Sequence, residues 1–168
     1  MSVLMFLFVM LGGGDALAGD GKSEAPKLTE VGTTKKFGIG VSVGYPHYFT
    51  GKYWLDSKGG VAFYAGGSIL GGLTGRVQYE RQFVNFMKYD KLGRLDMFWS
   101  VGAVGGYSGG TLAPGAGAGV GAELRFKKVP AAVHHETLLY TYPTLWSYRT
   151  PGLGYVWVTS SVGGRWYF

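Results

Sequence analysis

From residue 37 onward, large apolar residues alternate with small or polar ones at a period of two. That period puts successive side chains on opposite faces of a strand. Phe37 to Tyr45 reads Phe-Gly-Ile-Gly-Val-Ser-Val-Gly-Tyr, with bulk on one face and Gly or Ser on the other. The same pattern predicts strands over 48–56, 61–67, 73–83, 95–105, 115–126 and 154–168, with a weaker one over 134–142. Ser57-Lys58-Gly59-Gly60 has the residues of a tight turn between the second and third strands. No run of 18 apolar residues follows Lys36, so no helical span is expected there.

Eight strands result, most of them near the roughly 9–11 residues that cross a bilayer at barrel tilt. The predicted fold class is all-β, an eight-stranded antiparallel transmembrane up-and-down β-barrel. An even strand number returns both chain ends to one side. A soluble barrel or sandwich would show the same alternation with its apolar face turned inward. The two chain ends favour the membrane form. Met1 to Leu11 is almost wholly apolar but too short to span a bilayer, and Ala16-Leu17-Ala18 places small residues where signal peptidase requires them. Residues 1–18 are therefore expected to be a signal peptide cleaved after Ala18. Residues 19–36 are polar and read as a flexible periplasmic segment, and 37–168 as the barrel.

Composition sharpens this picture. Glycine accounts for 31 of 168 residues, far above the usual ~7%. It is accompanied by 12 Tyr, 10 Phe and 5 Trp, which disordered Gly-rich linkers lack. An eight-stranded lumen is just wide enough for side chains. Gly38, Gly40, Gly44, Gly117, Gly119 and Gly121 are therefore expected to make room for Trp54, Phe98, Tyr155 or Trp157. Tyr45, Tyr53, Tyr79, Trp99, Trp166 and Phe168 fall on the apolar faces as candidates for interfacial aromatic girdles. The absence of cysteine excludes a disulfide scaffold, a thiol nucleophile, a Cys-based metal site and a lipid-modified N-terminal cysteine. The net charge of +6 is scattered, with Lys35-Lys36 and Lys127-Lys128 the only adjacent basic pairs, so no nucleic-acid footprint is present.

Counting faces by period two puts Lys52, Asp56, Arg76, Glu80, Asp96, Glu123, Arg125, Glu136 and Arg165 inside the barrel. Buried charges must pair or coordinate something. A near balance of acids and bases points to an ion-paired plug, with Glu123 and Arg165 among its members. In His134-His135-Glu136 the adjacent histidines face opposite sides of a strand and cannot share a metal. Ser100, Ser161 and Glu136 face inward, but no motif joins them into a hydrolase triad. No G-x-S-x-G, P-loop or dinucleotide fingerprint occurs. The expected role is structural and non-enzymatic, without cofactor or metal, in support of envelope integrity or a partner complex. A membrane-embedded lipid-modifying enzyme and a narrow small-solute channel are the alternatives.

The C-terminus, Val162-Gly163-Gly164-Arg165-Trp166-Tyr167-Phe168, resembles the last strand of outer-membrane β-barrel proteins. Val162, Gly164, Trp166 and Phe168 occupy the alternate positions of the signal that barrel-assembly machinery recognises in such proteins. More narrowly, Gly38-Ile39-Gly40, Thr50-Gly51-Lys52-Tyr53-Trp54-Leu55-Asp56 and Gly163-Gly164-Arg165-Trp166-Tyr167-Phe168 are similar to segments of a family of small uncharacterised bacterial outer-membrane proteins. The likeness covers roughly residues 37–168 and departs in the middle, where Gly-Ala repeats stand. It implies an outer-membrane location and transfers no catalytic motif. The expected partners are outer-membrane lipids and lipopolysaccharide, with the barrel-assembly machinery during biogenesis. The protein is expected to act as a monomer or as a component of an envelope complex, and not to bind nucleic acid.

Overall fold

The computed structural model describes residues 36–44, 48–67, 72–89, 92–108, 110–141 and 156–168. The expected signal peptide, all of the 19–36 segment but Lys36, and Tyr45 and Tyr155 lie outside these. Eight strands follow in chain order: β1 (Phe37–Gly44), β2 (Tyr48–Trp54), β3 (Gly59–Gly67), β4 (Leu73–Tyr89), β5 (Gly93–Ser108), β6 (Thr111–Phe126), β7 (Ala131–Thr141) and β8 (Val156–Tyr167). Each pairs antiparallel with its neighbour in sequence, and β8 returns to β1, closing the barrel. The closing ladder runs from Gly38 opposite Tyr167 to Gly44 opposite Ser161. The Phe168 amide adds a bond to the Phe37 carbonyl at 2.8 Å. Closure leaves no unpaired strand edge, which suits a wall without water on its outer side.

The two faces of the wall settle which way the alternation points. Ile39, Val41, Val43, Val77, Val101, Val120, Val133, Leu139, Val158 and Val162 are exposed on the outer surface. Between them, Ser42, Thr50, Lys52, Arg76, Gln78, Glu80, Asp96, Glu123 and Arg165 are buried. The barrel is apolar outside and polar inside, the reverse of a water-soluble one. Tyr53, Trp99, Trp166 and Phe168 are exposed on the outer wall, and Tyr79 meets Trp99 edge to face with ring centroids 5.7 Å apart.

Several glycines sit where a side chain would collide with lumen bulk. A Cβ on Gly121 would lie 2.5 Å from the Phe98 ring. One on Gly38 would lie 2.6 Å from the Tyr167 ring, and one on Gly117 2.9 Å from Tyr140. At Gly40 and Gly44 the obstacle is the β8 backbone instead. Room is thus made for Phe98, as expected, and for Tyr167 and Tyr140. Trp157, at 38% exposed, is not enclosed.

Strand boundaries differ from the alternation in several strands, and in β2, β4 and β6 the local structure accounts for the difference. β2 stops at Trp54, two residues early, because the chain turns at Asp56. Its carboxylate accepts the amides of Lys58 at 2.7 Å and Gly59 at 2.6 Å. β4 continues past Phe83 to Tyr89 through register shifts between Gln82 and Val84 and between Asn85 and Met87. Each bulge inserts a residue and breaks the period of two, so Phe83, Val84 and Phe86 are all exposed and the sequence pattern ends early. β6 starts at Thr111 and contains Pro114, which pairs with Gly105 of β5 before β7 joins β6 at Ala116. The β5–β6 connection is a two-residue turn between Ser108 and Thr111, and Gly110 supplies its positive φ of 81°.

Candidate functional site in the charged interior

The lumen is crossed by a layer of four charges, one from each even-numbered strand. Barrel tilt staggers neighbouring strands, so side chains from alternate strands meet at one level. Lys52 of β2 is fully buried, with its Nζ 2.8 Å from Glu80 Oε2 of β4 and 2.7 Å from Glu123 Oε2 of β6. Arg165 of β8 lies opposite, 3.5 Å from Glu80 Oε1 and 3.7 Å from Glu123 Oε2. Its Nε donates to Thr50 Oγ1 at 3.0 Å, and its Nη2 donates to the Tyr64 hydroxyl. The Tyr64 hydroxyl in turn donates to Glu80 Oε1 at 3.0 Å, and Tyr167 donates to Glu123 Oε1 at 3.3 Å. Two cations and two carboxylates thus form a charge-balanced layer that also takes three hydroxyl partners, Thr50, Tyr64 and Tyr167, while Arg165 Nη1 makes no hydrogen bond. Lys52 also lies 3.8 Å from the Trp54 ring centroid, which shields one side of the ammonium.

Two smaller groups adjoin this layer. Glu136 of β7 pairs with Arg76 of β4 and accepts Gln78 Nε2 at 2.6 Å and Ser100 Oγ at 2.7 Å. Gln78 also donates to Glu80 at 3.0 Å, so one amide joins the two groups. The Arg76 guanidinium lies over the Tyr64 ring at 3.7 Å. Asp96 of β5 receives Arg94 Nε and Arg125 Nη2, both at 2.6 Å, and Arg125 reaches Gln82 Oε1 at 3.0 Å.

Eight of the nine charges assigned to the interior by period counting therefore line it. Asp56 does not: it is exposed in the β2–β3 turn, because β2 leaves the wall at Trp54 before the count reaches it. The two turn amides hold its carboxyl below the usual carboxylate range. Arg94 takes an inward place that the count missed, since β5 begins at Gly93 rather than Leu95. Tyr64, Gln78, Ser100 and Tyr167 join the network as neutral residues. Their inward placement was readable from the alternation, but their partners depend on register.

His134 points into the lumen and is 1% exposed, edge-on to Tyr64 with centroids 6.4 Å apart. Neither of its ring nitrogens has a hydrogen-bond partner. His135 lies on the other face, 2.9 Å from Ser160 Oγ. The adjacent histidines are thus divided by the wall, and among the described residues no three metal-ligating side chains converge. Ser100 donates directly to Glu136 rather than to a histidine. The interior carboxylates are each paired with a cation, and among the described residues the one histidine–serine pair, His135 with Ser160, lies on the outer face, away from the interior carboxylates.

The last strand presents Val162, Trp166 and Phe168 outward, with Gly164 on the same face between Val41 and Val133 of the adjoining strands.

No family model matches the chain, and no curated protein matches it. Among solved structures it is similar to the N-terminal β-barrel domain of Pseudomonas aeruginosa OprF, at 12% sequence identity and a TM-score of 0.53. The match covers 79% of this chain and 95% of that one. At that identity the likeness shows the fold, a closed eight-stranded antiparallel barrel of outer-membrane type.

Proposed function

We propose that this protein is a structural, non-enzymatic barrel of the outer membrane, sealed by its own ion-paired interior. The observation that carries the reading is the Lys52–Glu80–Glu123–Arg165 layer, in which every charge crossing the lumen faces an opposite one. Phe98, Tyr64 and Tyr167 fill space around it. A lumen closed in this way has no continuous water path, which argues against the narrow channel. Among the described residues the interior holds no Ser–His–acid trio: Ser100 is bonded to Glu136, His134 has no hydrogen-bond partner, and the His135–Ser160 pair lies on the outer face, which argues against the lipid-modifying enzyme. The exposed aliphatic belt supports a bilayer location, with lipids and lipopolysaccharide as surroundings and the barrel-assembly machinery reading Val162, Gly164, Trp166 and Phe168. The N-terminal signal peptide, with cleavage expected after Ala18, belongs to the same reading.

The test is electrical. Purified protein in planar bilayers should give no steady conductance above the bare membrane. A reproducible ohmic pore in the wild-type protein would replace the sealed reading with the channel.

A further inference from the structure

All six exposed charged side chains among the described residues lie at one rim of the barrel. They are Lys36, Asp56, Lys58, Arg81, Lys127 and Lys128, five bases and one acid. Lys36 precedes β1, Asp56 and Lys58 lie in the β2–β3 turn, and Lys127 and Lys128 lie in the β6–β7 turn. Arg81 is level with them, since it pairs with Gly59 at the start of β3 and the next amide, Gln82, donates to the Lys58 carbonyl at 2.8 Å. At the opposite rim, among the described residues, no charged side chain is exposed. The one acid accepts the amides of Lys58 and Gly59 and is also attracted to Arg81 and Lys58, so it offsets part of the rim's positive charge.

Arg81 differs from the lysines in its surroundings. It sits on the outer face of β4, next to the apolar belt. One of its guanidinium nitrogens donates to the Tyr79 hydroxyl at 3.1 Å, and Tyr79 in turn packs against Trp99. Trp99 is the register partner of Arg81 on β5. A guanidinium held by a tyrosine beside a tryptophan, at the boundary of an apolar wall, keeps its other donors free at headgroup level. A planar guanidinium matches a phosphate diester. We propose that this rim is a binding collar for the phosphate groups of anionic phospholipids, with Arg81 as its most ordered member. The inference rests on the membrane reading above and adds a headgroup specificity to one end of the barrel. Lipid is favoured over a soluble anion because the bases ring the wall directly beside Phe37, Tyr53, Phe83, Val129 and Trp166, all of them exposed.

The experiment is spin-label resonance of the full chain reconstituted in phosphatidylcholine, with spin-labelled phosphatidylglycerol or phosphatidylcholine as the reporter lipid. The motionally restricted fraction should be larger for phosphatidylglycerol, by on the order of fivefold in association constant at a site held by one base. The combined Lys58→Gln, Arg81→Gln, Lys127→Gln, Lys128→Gln variant should bring the ratio close to one. Arg81→Gln alone should remove more of the preference than any single lysine change. Heat-modifiable migration of each variant shows that its barrel has folded. Restricted lipid without headgroup preference, or a preference that the combined variant keeps, overturns the collar while leaving the membrane reading intact. The absence of any restricted lipid overturns the membrane reading and the collar with it. A preference abolished by inorganic phosphate but not by chloride of equal ionic strength would mark a site for free phosphate, and that too overturns the proposal.

Discussion

Lys52 is the residue on which the interior most depends. Its ammonium lies between Glu80 and Glu123, both buried, and Arg165 reaches the same two carboxylates only at longer range. Replacing it with methionine keeps the bulk and removes the charge, leaving two carboxylates short of a partner in a low-dielectric lumen. Breaking a buried pair on one side costs about 3–5 kcal/mol. Lys52→Met should therefore lower the urea resistance of the vesicle-reconstituted barrel by that amount. Adding Glu123→Gln should recover part of the loss, since it removes one stranded charge. Equal resistance of Lys52→Met and wild type would mean that the ammonium is solvated. Arg165 was identifiable from the sequence as inward-facing, but its reach to Glu80 was not, because the two lie on strands β8 and β4, which share no ladder.

Among the elements, the β2–β3 turn has the most specific chemistry. Asp56 is ionised more readily than an ordinary carboxyl because the amides of Lys58 and Gly59 point at it. A depressed carboxyl stabilises the turn above the ordinary carboxylate range, and that contribution is lost as pH falls through the lowered value. Acid titration should accordingly shift the Lys58 and Gly59 amide resonances only below the usual aspartate range. Asp56→Asn should abolish that transition. A midpoint at the ordinary aspartate value would show that the amides do not engage the carboxylate. The same turn explains the misassigned charge. Asp56 continues the alternation of β2 perfectly well, and only the hydrogen bonds that fold it back reveal that the strand has ended. β4 shows the opposite failure, where two bulges hide residues 84–89 of the strand behind a broken period.

At the scale of the whole molecule, closure is what holds the rest in place. The β8–β1 ladder ties the last strand to the first, and the Phe168 amide completes it at Phe37. With the apolar wall facing out and every strand paired on both sides, unfolding requires the barrel to open as a unit. Unboiled protein should therefore migrate as a compact species on a denaturing gel and shift on boiling. A variant lacking 166–168 should show only the boiled position, since it loses the ladder pairs Ile39–Trp166, Gly38–Tyr167 and Ala131–Trp166. Identical migration before and after boiling in the full chain would count against a closed barrel. The even strand number also brings the start of β1 and the end of β8 to the basic rim, so the exposed charges among the described residues gather there through the topology rather than through any one turn.

Alternation is a local property, repeated in each strand, and it was enough to determine the strand number, the all-β class and the division of side chains between two faces. It placed Lys52, Arg76, Glu80, Asp96, Glu123, Arg125, Glu136 and Arg165 on one face because each is read against its own neighbours in the chain. Which of them meet depends on register and barrel tilt, which arise from pairing between strands distant in sequence. The Lys52 layer draws on four strands that pair with none of one another, and the Arg94–Asp96–Arg125 group includes a residue outside the predicted strand. The outward direction of the apolar face was likewise open to strands taken singly. It was decided by closure, which turned the glycines, hydroxyls and paired charges into the lumen with a few apolar residues such as Phe98, Val104 and Leu138, and left most valines and leucines on the outer wall.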